Sequence, residues 1–311
     1  MPAAQAVHAF GRHRLRFAAI PCATGGTINN ETYHDGVPIH HTPATLALDS
    51  IEDGGQKTTL VIDGAVTLTG GGQVVLSDST RNLIDFDQTG TLDNVDNLIG
   101  GAGKIGQDEG ATGGLTNESK GVVNANGVNE LLVDTGKTQL VNKGLIEATG
   151  AGGLDVAGQA GINNTGSINA AGGNVTIKGP VTGGGQDNIS GGASLEFGDQ
   201  SFDSVTFHHT SVGTNMLILD DPGGFSAELA GGGSVHGFAI GDAIDLEGIN
   251  VNSKKFSESY NSITGVLTVA DNSKTAGITL IGTYASADFG FATDGHGGTL
   301  VTTTNNTNVI A

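Results

Sequence analysis

Asn142-Lys143-Gly144-Leu145-Ile146-Glu147-Ala148 is followed, 22 positions on, by Asn164-Thr165-Gly166-Ser167-Ile168-Asn169-Ala170. Each phrase passes through paired glycines, Gly152-Gly153 or Gly172-Gly173, into a short alternating run, Leu154-Asp155-Val156 or Val175-Thr176-Ile177. A looser copy precedes them at Asn117, Gly121, Val123 and Ala125, with Leu131-Leu132-Val133 behind it. A short fixed period means one structural unit stacked on copies of itself, each covering the apolar face of the next. A coil of about twenty residues accommodates three strands of about four residues with turns of two or three. Asn117, Asn142 and Asn164 hold matching positions, so their amides are expected to stack as a ladder along one corner.

Working outward, the pattern persists upstream. Thr59-Leu60-Val61-Ile62, Ala65-Val66-Thr67-Leu68-Thr69 and Gln73-Val74-Val75-Leu76 are strand-length pieces separated by Asp63-Gly64 and Gly70-Gly71-Gly72. Glycine is 53 of 311 residues, there is no Trp, and no long run shows helical apolar spacing. Short Val/Ile/Leu runs between Gly, Asn and Asp define an all-β chain. The fold expected is a parallel β-helix, or β-solenoid, over residues 45–200. An antiparallel sandwich gives no reason for a Gly/Asn phrase at constant period.

The ends differ from the middle. Residues 1–44 hold five of the nine His (His8, His13, His34, His40, His41) and three of the four Arg, and are expected to form a poorly ordered leader. From 201 to 311 the phrase changes and phenylalanine concentrates, as at Phe202, Phe207, Phe225, Phe238, Phe256, Phe289 and Phe291. This stretch reads as a less regular β cap or module, or as a continuation of the solenoid, because a stacked column has edges that need covering. Val266–Ala270 and Gly277–Ile281 around Asp271-Asn272-Ser273-Lys274 read as a hairpin.

Net charge is −19, from 13 basic and 32 acidic residues. Such a surface repels nucleic acid and anionic lipid and attracts divalent cations. Cys22 is the only cysteine, which excludes an intrachain disulfide. No apolar run reaches the length that spans a bilayer.

Phrases such as Leu92-Asp93-Asn94-Val95-Asp96-Asn97-Leu98-Ile99-Gly100-Gly101, together with the Asn-x-Gly-x-Ile-x-Ala repeat, resemble large β-strand-repeat proteins of α-proteobacteria. Those are adhesin-like or autotransporter-passenger-like proteins, secreted or held at the cell surface. The C-terminal phrases Gly237-Phe238-Ala239-Ile240-Gly241-Asp242-Ala243-Ile244-Asp245-Leu246 and Asp294-Gly295-His296-Gly297-Gly298-Thr299-Leu300-Val301 are similar to modules found beside repeats-in-toxin segments in type I secreted proteins. The resemblance implies export and a structural or adhesive role toward polysaccharide, a host or abiotic surface, or the protein itself. It departs from that pattern in showing neither a clear signal peptide nor a membrane-barrel domain.

Three chemistries are written in the residues. Gly183-Gly184-Gly185-Gln186-Asp187-Asn188-Ile189 approximates a calcium-binding glycine-aspartate turn, making Asp187 a calcium ligand candidate. Asp85 and Asp87, two apart on a strand, form a carboxylate pair of the kind that β-helical polysaccharide lyases and hydrolases use; Asp93, Asp96, Arg81 and Lys104 lie close in sequence. His208, His209, His236 and His296 are scattered among Ser and Asp, but no Gly-x-Ser-x-Gly elbow accompanies them. The expected function is therefore a surface-presenting solenoid. The alternatives are a polysaccharide-cleaving enzyme and a calcium-dependent secreted module.

Overall fold

The computed structural model describes residues 6–10, 14–18, 26–29, 32–34, 37–40, 45–50, 57–106, 113–209, 213–225 and 232–306. The chain is a β-solenoid of stacked parallel strands, with two short 3₁₀ turns, Pro222–Phe225 and Ser286–Asp288, as its helical elements among the described residues. It divides into two compact units, Met1–Gly166 and Ser167–Ala311.

In the first unit the later coils have three strands each. One coil is Val122–Ala125, Leu131–Asp134 and Leu140–Asn142; the next is Leu145–Ala148, Leu154–Val156 and Ile162–Asn164. The pairing is parallel and in register: Val123 lies beside Ile146, Leu131 beside Leu154, and Leu140 beside Ile162. Alternation then does the packing. Val123, Ala125, Leu131, Val133 and Leu140 point inward and are at most 1% exposed, and Ile146, Ala148 and Ile162 are fully buried below them. Each large aliphatic side chain so buried contributes about 1.5–3 kcal/mol. Because register places like above like, the interior is one continuous apolar column.

Upstream coils fuse their second and third strands. Thr58–Thr69 and Asn82–Asn94 are single long strands, paired in parallel with a register shift between Asp63 and Ala65. The two pieces expected on either side of Asp63-Gly64 are thus one strand with a bend. Gly64, at φ +74, turns the corner without ending the ladder. In the leader, Ala6–Phe10 pairs in parallel with Thr45–Asp49, while Arg14–Ala18 and Gly26–Asn29 pair with Thr58–Thr69. Thr32–His34 and Val37–His40 form a separate antiparallel pair.

The asparagine ladder is present and begins one coil earlier than the sequence pattern shows. Asn94 Nδ2 donates to Asn117 Oδ1 (2.9 Å), Asn117 Nδ2 to Asn142 Oδ1 (2.9 Å), and Asn142 Nδ2 to Asn164 Oδ1 (2.8 Å). All four are fully buried. A buried amide must find partners, and a stack of identical amides supplies them from coil to coil. The glycine of the same phrase has a different reason from the one turn propensity suggests. Gly144 carries no positive φ; a Cβ there would lie 2.3 Å from the Glu118 carbonyl oxygen and 2.4 Å from that of Gly121. Gly166 likewise presses within 2.2 Å of the Gly144 oxygen at its missing Cβ. The phrase Asn-x-Gly therefore pairs a ladder rung with a point of closest approach between coils.

In the second unit, Ser167–Ala171, Gln186–Ser190, Ser204–Phe207 and Ser234–His236 line one face in parallel. Val175–Ile177, Ser194–Phe197, Met216–Leu219 and Ala243–Leu246 line the other. Phenylalanine fills the interior here: Phe197 stacks on Phe225 at 6.0 Å, and Phe207 meets Phe238 at 5.7 Å between ring centroids. The winding then stops. Thr275–Ile281 joins the first face in parallel, and Val266–Ala270 and Ser257–Asn261 follow it antiparallel, with the hairpin at Asp271–Lys274 as expected. On the other face Thr299–Thr303 runs antiparallel to Ala243–Leu246, and Phe289–Thr293 antiparallel to that. Between these end strands Tyr260, Tyr284 and Phe289 form one ring cluster, and Phe256 meets Phe291 edge-on at 5.8 Å. Antiparallel strands and aromatic rings close this end of the column. Among the described residues no helix is long and apolar enough to cross a membrane.

Candidate functional site

The densest chemistry lies where the parallel winding meets the antiparallel cap. The two C-terminal phrases, some fifty residues apart in sequence, meet there. In the first, Gly241 takes φ +98 and sets up a tight turn. Asp242 holds that turn: its Oδ2 accepts the Ala239 N–H at 3.0 Å and lies 2.9 Å from His209 Nε2, while Oδ1 accepts from Asn215 Nδ2 at 3.1 Å. Burial raises the Asp242 pKa despite these bonds. Strand Ala243–Leu246 then alternates, with Ile244 and Leu246 in the core and Asp245 turned outward.

Asp245 sits in register between Ile218 and Leu300, so two aliphatic neighbours partly strip its carboxylate of water. Its pKa rises to about 6, through burial first, then through the negative charges of Asp294 and Glu247, with His296 opposing. Asp294 begins the turn that joins Phe289–Thr293 to Thr299–Thr303. Its Oδ1 accepts three backbone N–H groups, from His296 (2.7 Å), Gly297 (3.0 Å) and Gly298 (2.9 Å). Burial pushes Asp294 up, but those bonds and His296 outweigh it and hold its pKa below the usual value. Gly295 and Gly297, at φ +92 and +106, make the turn tight enough for one carboxylate oxygen to collect three donors.

Carboxylate oxygens of Asp245, Glu247 and Asp294 lie within 4.8 Å of one another. Asp245 Oδ1 and Asp294 Oδ2 are buried and accept no hydrogen bond. A Cβ on Gly298 would come within 2.5 Å of Asp294 Oδ2 and 2.8 Å of the Leu246 carbonyl oxygen, so glycine keeps that space free for two oxygen acceptors. Buried anionic oxygens without donors are costly. An all-oxygen set with this much negative charge fits a hard divalent cation such as calcium. At lower pH a proton on Asp245 would serve instead.

Of the sequence candidates, His296 lies at this site and the others lie elsewhere. Asp187 is fully buried in strand Gln186–Ser190, and its Oδ1 accepts the Ile168 N–H at 2.8 Å, so that oxygen ties one coil to the next. Asp85 and Asp87 are in the first unit, in register with Val61 and Asp63 of the preceding coil. Asp85 is half-buried; the side chain of Asp87 falls outside the described residues. Lys104, grouped with them by sequence, lies 3.6 Å from Asp134 Oδ2. Asp96 belongs to a turn and accepts the Gly71 N–H at 3.1 Å. The histidines are dispersed: His209 to Asp242, His208 Nε2 to Asn188 Oδ1 (3.0 Å), and His236 Nε2 to Ser234 Oγ (3.2 Å). Asp245, Glu247 and Asp294 escaped the sequence reading as a set. The phrases carry Asp245 and Asp294, and Glu247 follows the first of them, yet nothing local signals that Ala243–Leu246 and Thr299–Thr303 pair antiparallel.

Comparisons with known protein families, with curated proteins and with solved structures gave no significant match. Fold and site together define a β-solenoid with an antiparallel cap and a three-carboxylate cluster at their junction.

Proposed function

We propose that this chain is a structural or adhesive solenoid, secreted or displayed at a cell surface, that works by presenting its stacked faces to polysaccharide or another surface. The observation that carries this reading is the register of the coils. In-register parallel pairing repeats the outward positions at a fixed spacing from coil to coil, so side chains on successive strands stand in rows that one ligand can span, even where the residue type changes as from Asn124 to Glu147. A multivalent surface gains affinity by repetition even when each contact is weak. The acidic balance of −19 keeps such a surface soluble.

A second reading, a calcium-dependent module, is favoured by one specific observation: the two buried, donorless oxygens of Asp245 and Asp294 beside Glu247. Asp245, Glu247 and Asp294 would hold the ion, which would neutralise their repulsion and tie the cap strand Thr299–Thr303 to the last parallel strand. The two readings are compatible. The test is incubation of the purified chain with a panel of insoluble polysaccharides, with calcium or with chelator, scoring retained protein and newly released reducing or unsaturated ends. Retention without new ends supports the adhesive reading. New ends would replace it with the polysaccharide-cleaving one, and absence of retention on every polymer would remove it.

A further inference from the structure

The first face of the second unit carries rows of hydroxyl and amide side chains. Its outward positions repeat in two columns. Asn169, Asn188, Thr206 and His236 follow one another in register across four strands, and Ser204 and Ser234 lie side by side two residues upstream of the last two. All six are half-buried and none carries a carboxylate, ammonium or guanidinium group. On the second face of the same unit, the outward positions include Glu196 and Asp245.

The columns are also cross-linked. Asn188 Nδ2 donates to Asn169 Oδ1 at 2.8 Å, the Ser204 and Ser234 hydroxyls meet at 2.9 Å, and Ser234 Oγ meets His236 Nε2 at 3.2 Å. Side chains already held by their neighbours lose little rotamer freedom when a ligand arrives. Asn188 is fully engaged, its Nδ2 donating to Asn169 Oδ1 and Ser167 Oγ and its Oδ1 meeting His208 Nε2, whereas a hydroxyl has one donor and two acceptor sites, so Ser204 and Ser234 keep capacity beyond these bonds. Strand spacing sets these groups about 4.8 Å apart across the sheet and about 7 Å along it.

We infer that this face, whose rows carry hydroxyl, amide and imidazole groups and no carboxylate, ammonium or guanidinium, docks a neutral, polyhydroxylated polysaccharide laid across the strands. The inference rests on the adhesive reading and assigns it a face and a ligand class. Charge selects the ligand. A polyanion approaches a chain of net charge −19 against repulsion, and a polycation is drawn to the carboxylate-bearing positions instead. A neutral polymer of regularly spaced hydroxyls meets neither field, and it offers a hydrogen-bonding group to each row.

The experiment is a pull-down of the full chain on insoluble neutral glucans and xylans, with pectate and alginate gels as anionic comparators. Thr206→Glu places a carboxylate within the array, and Thr176→Glu places one on the second face, in register with Glu196. The expected result is retention on at least one neutral polymer, a tenfold or greater loss of apparent affinity in Thr206→Glu, and little change in Thr176→Glu, with superimposable circular dichroism. If Thr206→Glu melts early, the Thr206→Ala/Ser234→Ala pair replaces it, with a loss of several-fold expected. Equal binding by the two glutamate variants, or by the alanine pair and the unmodified chain, would overturn the face while leaving adhesion standing. Retention only on the anionic gels would overturn the ligand class. No retention on any polymer would remove the adhesive reading as well.

Discussion

Replacing Asn117 by alanine tests the stacking argument at its most constrained point. The Asn117 side chain accepts from Asn94 (2.9 Å) and donates to Asn142 Oδ1 (2.9 Å), the Gly121 carbonyl (3.1 Å) and the Leu145 carbonyl (3.0 Å). Its neighbours are not wholly abandoned on truncation: Asn94 Nδ2 keeps the Asn97 carbonyl at 2.9 Å, and Asn142 Oδ1 keeps the Gly144 N–H at 3.2 Å. The loss is then three or four buried bonds, at about 1 kcal/mol each, plus a small void, or about 3–5 kcal/mol in all. Asn124→Ala is the matched control, since Asn124 faces outward and bonds Glu147 Oε1 (2.7 Å) and Thr149 Oγ1 (2.8 Å) on the half-exposed surface. It is expected to cost less than about 1 kcal/mol. Urea unfolding followed by circular dichroism gives the totals, and native-state hydrogen exchange shows whether the coils around Asn117 open first, as a stack of nearest-neighbour units allows. Should the two variants prove equally stable, the corner ladder is decoration and the stacking argument loses its polar half.

Other outcomes follow from the same geometry. Gly144→Ala drives a methyl group into two backbone oxygens and is expected to cost about 2–4 kcal/mol, whereas Gly184, at φ +73 with open space around it, is expected to accept Asn at about 1 kcal/mol or less; thermal melts compare the two. Without added cation, the raised pKa of Asp245 (about 6) means the folded state binds its proton more tightly than the unfolded state does. The contribution of Asp245 to stability is therefore greatest below the ordinary aspartate value and is lost as pH climbs through about 6, by on the order of 1 kcal/mol once partial exposure is allowed for. A melt series from pH 4 to 7.5 reads it, and Asp245→Asn is expected to flatten that slope. Calcium at a hundred times its dissociation constant is expected to stabilise the unmodified chain by about 2.7 kcal/mol and the Asp245→Asn variant by much less; calorimetric titration that finds equal affinity for both would remove Asp245 as a ligand.

Much of this was legible without coordinates. The period of the Asn-x-Gly phrase, the alternation of Val, Ile and Leu, and the scarcity of helix formers are local or short-range properties, and they determine an all-β solenoid with three strands per coil and a buried amide corner. The shift to phenylalanine after residue 201 likewise announced a change at the end of the column, because the interior there had to be filled by larger groups. What sequence could not supply was the meeting of distant strands. That Thr299–Thr303 turns back along Ala243–Leu246, setting Asp294 against Asp245 and Glu247, is decided by long-range antiparallel pairing that no periodic signal encodes. The role of Gly144 was hidden for the same reason: its closeness to the preceding coil exists only once the coils are stacked. Repetition determined the column; tertiary contact alone decided where its charges gather.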